Sequence, residues 1–353
     1  MLEQLTSHLA GSNHLSDEQI HLAVEQLVDE SISATSKADF LCHLALKGET
    51  VHEIAAFARA LREKSVRPPI DLETRSGEIL DVCGTGGDRL NTFNISTTVA
   101  IICAAAGVTV AKHGNRAITS QAGSADVLEA LGVRIDLPPI EAAAALRQHH
   151  FAFFFAPHYH PAFKHIAPAR KLCADRGQRT IFNFLGPLLN PAQPTSQLVG
   201  VPRPELTEPL ARVLMMLGVR RGIVVSGHVA SNNSQPGGAK QYLDELSALG
   251  ENHIAEFYAE RVVTSTVLAS KYFRLQPATL PDLAGSDKQG NAEIVRRILR
   301  GDERGPKREA VLLNAAAALF VANRSDSLPA AWDLASQTID SGQALAKLRS
   351  LTS

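Results

Sequence analysis

Apolar residues in the first 70 positions recur at intervals of three and four, and no stretch alternates in the manner of a strand. Ile20, Ala23, Val24, Leu27 and Val28 share one helical face, and Ile54, Phe57, Ala58 and Leu61 share another. Each run follows a capping-box pattern, Ser16 with Gln19 and Thr50 with Glu53, in which side chains and backbone N–H groups satisfy one another at a helix start. VRPPIDLETRSG (66–77), with paired prolines among mixed polar residues, then reads as a linker. The pattern predicts a mainly helical domain over residues 1–70, to which a later helical segment can add, followed by a second domain over 71–353.

From residue 78 the periodicity changes. EILDVC is a short strand, NISTTVAIICAAAG a helix, VTVA a strand and SADVLEALG a helix. VRIDL reads as another strand, followed by the helix IEAAAALRQH and the strand FAFFFA. SQLVGV and GIVVSG are strands flanking the helix PELTEPLARVLMML, and the chain ends in helices around NAEIVRRIL, REAVLLNAAAALFVA and AAWDLASQTI. Such alternation predicts an α/β fold: a small N-terminal helical domain plus a large domain with a mostly parallel central sheet flanked by helices. GHVASNNSQPGGAKQY (227–242) has no periodicity and reads as a mobile loop.

The chemistry concentrates where predicted strands end. EILDVC runs into GTGGD, placing Gly84, Gly86, Gly87 and Asp88 in one turn, with Thr92, Asn94, Ser96 and Thr97 before the next helix. In α/β sheets ligands bind at the carboxyl ends of strands. Glycines admit a ligand close to the backbone, whose N–H groups then form a nest for an anion. Asn94 or Ser96 can cap the following helix, whose N-terminus adds partial positive charge. A second polar loop follows VTVA: Lys112, His113, Asn115, Arg116, Thr119, Ser120 and Ser124. Two such loops suit a ligand with several phosphates.

Composition narrows the classes. With 353 residues and 45% hydrophobic content the chain can bury a full core. A net charge of −1 does not suit a nucleic-acid or membrane-surface binder. No signal peptide or membrane-spanning run is read, which predicts a cytoplasmic protein. Cys42, Cys83, Cys103 and Cys173 are far apart and read as buried free thiols. His158, His160 and His165 lack the Cys or carboxylate that would complete a zinc set. Of four Asp-Glu pairs, at 17–18, 29–30, 244–245 and 302–303, spacing alone selects none.

GTGGD, NTFNIST, KHGNR, GSADVLEALG, FAPHYHPAFKH, RTIFNFLGPLLNP and LDELS occur in that order, and together they resemble the anthranilate phosphoribosyltransferase family over nearly the whole chain. The resemblance implies transfer of the phosphoribosyl group of 5-phosphoribosyl pyrophosphate (PRPP) to the amine of anthranilate, with Mg²⁺. It further implies PRPP contacts from Gly84, Gly87, Asp88, Thr92, Asn94, Ile95, Ser96 and Thr97, and from Lys112, His113, Gly114, Asn115, Arg116, Ser120 and Ser124. Anthranilate would meet Gly84, Asn115, His160 and Arg170, and the metal Ser96, Asp244 and Glu245. A homodimer through the helical domain is implied as well. Three departures from the family pattern touch acceptor binding and loop closure: extra residues in ARKLCADRGQRT, a long approach to LDE, and SQAGS in place of a lysine-containing loop. A related enzyme with another aromatic acceptor, or a non-catalytic nucleic-acid-binding paralogue, is the alternative reading.

Overall fold

The computed structural model describes residues 1–117, 121–230, 240–259, 263–268, 273 and 275–352. Four helices open the chain: α1 (Leu2–Ala10), α2 (Asp17–Val28), α3 (Ala34–Lys47) and α4 (Val51–Glu63). Both expected capping boxes form, at Ser16/Gln19 and Thr50/Glu53. The second is also a tertiary joint. Glu53 is buried, accepts from Leu15 N and from Thr50, and lies 2.7 Å from Lys47 Nζ. After α5 (Leu72–Ser76) the chain enters the sheet.

The elements from there are β1 (Ile79–Gly84), α6 (Ile95–Ala105), β2 (Thr109–Gly114), α7 (Ser124–Leu131), α8 (Pro139–His149), β3 (Phe151–Phe155), α9 (Ala156–Tyr159) and α10 (Ala167–Asp175). Then come β4 (Ser196–Gly200), α11 (Thr207–Met216), β5 (Arg221–Val229), β6 (Gln241–Leu243), β7 (Asn252–Tyr258) and β8 (Thr264–Leu268). Four helices end the chain: α12 (Lys288–Arg300), α13 (Pro306–Val321), α14 (Leu328–Asp340) and α15 (Gln343–Ser350). The sheet order is β3-β2-β1-β4-β5-β7-β8, with β6 beside the end of β5. Strands β3 to β5 run parallel, while β6, β7 and β8 are antiparallel additions. From β1 the chain fills one side through β2 and β3, then returns to the other through β4 and β5. The β1/β4 boundary is therefore the switch point at which open α/β sheets leave a crevice.

One core joins β1, β2 and β5 to α6, α7 and the C-terminal helices. Another runs from α1–α4 through α10 and α11 onto Val199, Val224 and Phe257 of the sheet, so the helical layer and the sheet share apolar packing. Helix α10 docks on α3, with Cys42 Sγ 3.6 Å from Cys173 Sγ and Arg176 paired to Asp39 at 2.7 Å. The extra residues after Arg170 are taken up as continued helix and end at Gly177, whose φ of +70° suits the stop.

VRIDL is not a strand. Val133 and Ile135 are buried, and Arg134 and Asp136 are exposed, as in a strand. Yet the segment pairs with no strand, although β3 is an edge of the sheet. Alternation reports burial of one face; it does not supply a hydrogen-bonding partner. The segment read as a mobile loop falls largely on residues 231–239, outside the described residues. Among the described residues no helix is long and apolar enough to cross a membrane.

The Lys47–Glu53 pair gives a direct check on the helical layer. Both side chains are almost fully buried. Glu53→Ala leaves an uncompensated ammonium and an unpaired Leu15 N–H, so it is expected to cost about 3–5 kcal/mol. Urea denaturation followed by circular dichroism measures this, and Glu53→Gln should lose less by keeping the cap.

Candidate active site

The glycine turn is built by close approach. Thr85 N donates to Gly200 O at 3.0 Å, tying the turn to β4. Gly86 has φ +73°, a left-handed conformation that a side chain would strain. The segment carrying Asp244 crosses directly over the ends of β1 and β4. A Cβ on Gly84 would lie 2.8 Å from Asp244, and one on Gly200 would lie 1.5 Å from the Asp244 carbonyl oxygen. Asp244 Oδ2 accepts from Gly86 N at 2.5 Å, Gly87 N at 3.3 Å and Thr85 Oγ1 at 3.4 Å. Asp88 lies beside Asp244. Its Oδ1 accepts from Leu90 N at 3.1 Å and its Oδ2 from Asp244 N at 3.4 Å.

The NTFNIST stretch is strapped from the far end of the chain. Thr92 bridges to Ala284, Phe93 N donates to Leu283 O, and Gly285 N donates to Asn91 O. Asn94 stands at the N-cap of α6, but neither it nor Ser96 caps the helix through its side chain. Asn94 Nδ2 instead donates to Ala122 O and its Oδ1 accepts from Asn291 Nδ2, so it spans between the two polar loops and α12. Among the described residues Thr97 Oγ1 has no hydrogen-bond partner, although it is buried.

Both cations of the KHGNR loop are engaged within the protein. Lys112 is buried, and its Nζ donates to Val82 O at 2.7 Å and Ser96 Oγ at 3.3 Å. Arg116 is engaged with Asp126 and Glu129 at 2.9 Å each, which raises its already high pKa. Gly114 is required by contact: a Cβ there would sit 2.2 Å from Ser124 Oγ. Ser120, expected to contribute from this loop, and Thr119 beside it lie outside the described residues.

These segments enclose one cavity of about 320 Å³. Gly84, Asp88, Thr92, Asn94, Ile95, Ser96, Thr97, Lys112, His113, Gly114, Asn115, Arg116, Ser124, Asp244 and Glu245 all line it. Gly87, which lends its N–H to the nest, is outside that lining. Arg89, Asn91, Phe93, Ala122 and Gly123 also line the cavity, and their only signal in the sequence was their place inside the same stretches. Asn291, which positions Asn94, carried none.

His160 and Arg170 are not in the cavity wall. They belong to an aromatic row that leads away from it. His113 meets His160 edge-on with centroids 5.2 Å apart, His160 meets Phe163 at 5.1 Å, and Phe163 meets Phe182 at 5.9 Å. Arg170 lies over Phe182 at 5.3 Å and, among the described residues, pairs with no carboxylate. Burial lowers its pKa without removing its charge at neutral pH.

The carboxylates face one another with little cationic relief. Asp244 is held well above the ordinary carboxylate range by burial and by Asp88 and Glu245. Burial pushes Glu245 up to about 8, against the pull of Lys112. Among the described residues no three His, Cys, Asp or Glu side chains converge as a metal cage. Hard oxygens that lack cations suit Mg²⁺, which takes one or two carboxylates, waters and substrate phosphates in preference to an all-protein cage. The donor set fits such an ion.

Comparison with known proteins agrees with both halves of the chain. Residues 2–65 match the model of the glycosyl transferase family helical bundle domain, and residues 76–345 match that of the glycosyl transferase family a/b domain. An anthranilate phosphoribosyltransferase of Petrotoga mobilis is 43% identical over 96% of this chain and 92% of the relative. The crystal structure of the Thermus thermophilus enzyme of that name superposes with a TM-score of 0.85 at 38% identity, covering 99% of this chain and 98% of its own. The Saccharomyces cerevisiae enzyme in complex with PRPP and Mg gives a TM-score of 0.85 at 26% identity, covering 99% and 96%.

The buried histidines make a pH-dependent prediction. Burial, with His160 alongside, holds His113 down to about 3, and burial holds His160 down to about 4. Unfolded histidine titrates near 6.5, so below that pH the native state binds fewer protons than the unfolded chain. Their contribution is complete above about pH 6.5 and is lost as pH falls toward 4. His160→Gln should flatten this slope by up to about 1.4 kcal/mol per pH unit. Urea midpoints of both proteins at pH 7.5, 6 and 5 measure the difference.

Proposed function

The chain belongs to the glycosyl transferase family, among the proteins named anthranilate phosphoribosyltransferase, and from that premise we propose that it transfers the 5-phosphoribosyl group of PRPP to the amine of anthranilate, releasing pyrophosphate, in tryptophan biosynthesis. The observation that carries this reading is the meeting of three sequence-distant segments, the glycine turn, the KHGNR loop and LDE, around one polar cavity at the sheet's switch point.

In this reading the diphosphate and ribose of PRPP lie between the Gly84–Thr97 stretch and Lys112–Arg116, with Ser120 and Ser124 contributing. Main-chain N–H groups of Gly86 and Gly87 and the N-terminus of α6 meet the phosphates. Mg²⁺ bound with PRPP supplies positive charge to the departing pyrophosphate. Ser96, Asp244 and Glu245 are the residues that would hold it. Arg170 would grip the anthranilate carboxylate in bidentate fashion, and the row of His160, Phe163 and Phe182 offers flat surfaces for its ring. Gly84 and Asn115 reach the acceptor from the cavity side. The aromatic amine is neutral near pH 7 and nucleophilic, so alignment of that nitrogen with the ribose carbon is the main task of these side chains. We extend the reading to a homodimer formed through residues 1–70, a helical surface on which Leu22 and Leu46 are exposed, and to a cytoplasmic location.

Loss of anthranilate fluorescence in the presence of PRPP and Mg²⁺ tests the activity, and a protein that consumes none overturns it. Arg170→Ala should lower kcat/KM for anthranilate roughly 10–150-fold, the worth of about 1.5–3 kcal/mol for a charge-assisted pair, with PRPP affinity kept. Asp244→Asn combined with Glu245→Gln should abolish most Mg²⁺-dependent turnover. The same change at Asp302 and Glu303, which pair with Arg300 and Arg297 away from the cavity, should leave it intact. Magnesium titrations of both double variants separate ligation from general destabilisation.

A further inference from the structure

The nest expected to receive a diphosphate already holds a carboxyl group belonging to the chain. A single oxygen, Asp244 Oδ2, takes Gly86 N, Gly87 N and Thr85 Oγ1. Such donors are suited to phosphate oxygens. The chain also goes to some length to bring Asp244 here, since Gly84 and Gly200 can carry no Cβ where its segment crosses. The same carboxylate is poorly placed in every other respect. It is buried with Asp88 and Glu245 as neighbours, and among the described residues no Lys, Arg or His forms an ion pair with any of the three.

We propose that Asp244 is a displaceable plug in the diphosphate nest, released when a divalent cation draws its carboxylate away, so that cation and diphosphate enter as an obligatory pair. This rests on the PRPP reading of the cavity. Asp244 and the diphosphate compete for the same N–H groups, and whichever leaves must find other partners. A cation beside Glu245 and Ser96 offers Asp244 a partner outside the nest. The diphosphate alone offers it no new partner. Asp244 thereby makes substrate affinity conditional on the cation, a role separate from ligating it.

Calorimetric titration with inorganic pyrophosphate, with and without Mg²⁺, tests this on the full chain without any turnover. The wild-type protein should bind metal-free pyrophosphate at least about tenfold more weakly than in the presence of Mg²⁺. Asp244→Ala should bind metal-free pyrophosphate at least about tenfold more tightly than wild type, the worth of freeing charge-assisted donors, and should lose most of the Mg²⁺ dependence. Glu245→Gln removes a cation ligand but leaves the plug, so its metal-free binding should remain weak. Asp244→Asn keeps the shape without the charge and should gain several-fold, which carries the test if the alanine variant does not fold. Should wild type bind pyrophosphate with Mg²⁺ while both Asp244 variants bind the metal-free anion no better than wild type does, the plug is refuted and the PRPP site stands. Should wild type fail to bind pyrophosphate under either condition, the PRPP reading itself falls.

Discussion

A carboxylate buried between two parallel strands organises everything around the cavity. Asp81, in the middle of β1, accepts from His113 N at 3.3 Å through one oxygen and from Asn190 Nδ2 at 2.9 Å through the other. Asn190 also donates to Ala111 O and accepts from Ala192 N, so the GPLLNP segment is fastened across β1 and β2. The burial of this charge is expensive: it pushes Asp81 up to about 6, with Lys112 and its hydrogen bonds opposing that rise. Arg62 brings a further cation from the helical layer, with its Nε donating to Leu188 O at 2.6 Å. The two Asp81 oxygens are satisfied in this way, although Arg62 Nη2 and His113 Nε2 have no hydrogen-bond partner among the described residues, and a slip of either strand would leave the buried carboxylate unpaired. The orientation of His113, the course of Lys112 and the contact between helical layer and sheet all follow from it.

The parts of this architecture legible in the sequence are those governed by neighbours along the chain. Capping boxes at Ser16 and Thr50, the helical periodicities, and the glycine turn after a strand are local devices, and the structure builds each of them. What escaped were features decided by distant partners. VRIDL has the alternation of a strand but pairs with none, and β7 and β8 extend the sheet antiparallel where no alternation with helices announced them. Asn94 looked like a cap and is instead a strut to Ala122 and Asn291, 28 and 197 residues away in sequence. Asp81 gave no signal because a lone Asp in an apolar run reads the same whether it is catalytic, structural or misplaced.

The site residues divide in the same way. Those grouped in GTGGD, NTFNIST and KHGNR fall on one cavity because each group is a single strand-end loop, and adjacent parallel strands bring such loops together. His160 and Arg170 reach that cavity only through an aromatic relay on a different layer. Arg170 is placed by the docking of α10 against α3 and His160 by the end of α9, neither of which a local pattern encodes.

Charge placement then decides how a polyanion could be accommodated. The resemblance implies that Lys112 and Arg116 contact it. Lys112 is instead committed to Val82 O and to the field of Asp81, and Arg116 to Asp126 and Glu129. Opposite them stand Asp88, Asp244 and Glu245. With Lys112 and Arg116 engaged, Arg89 is the lining cation that pairs with no carboxylate among the described residues. Attraction for a diphosphate then comes from Arg89, backbone N–H groups, a helix N-terminus and an added cation. A site arranged so holds its affinity in reserve until the cation arrives, which is a physical reason for a chain to keep two adjacent acids beside an anion nest.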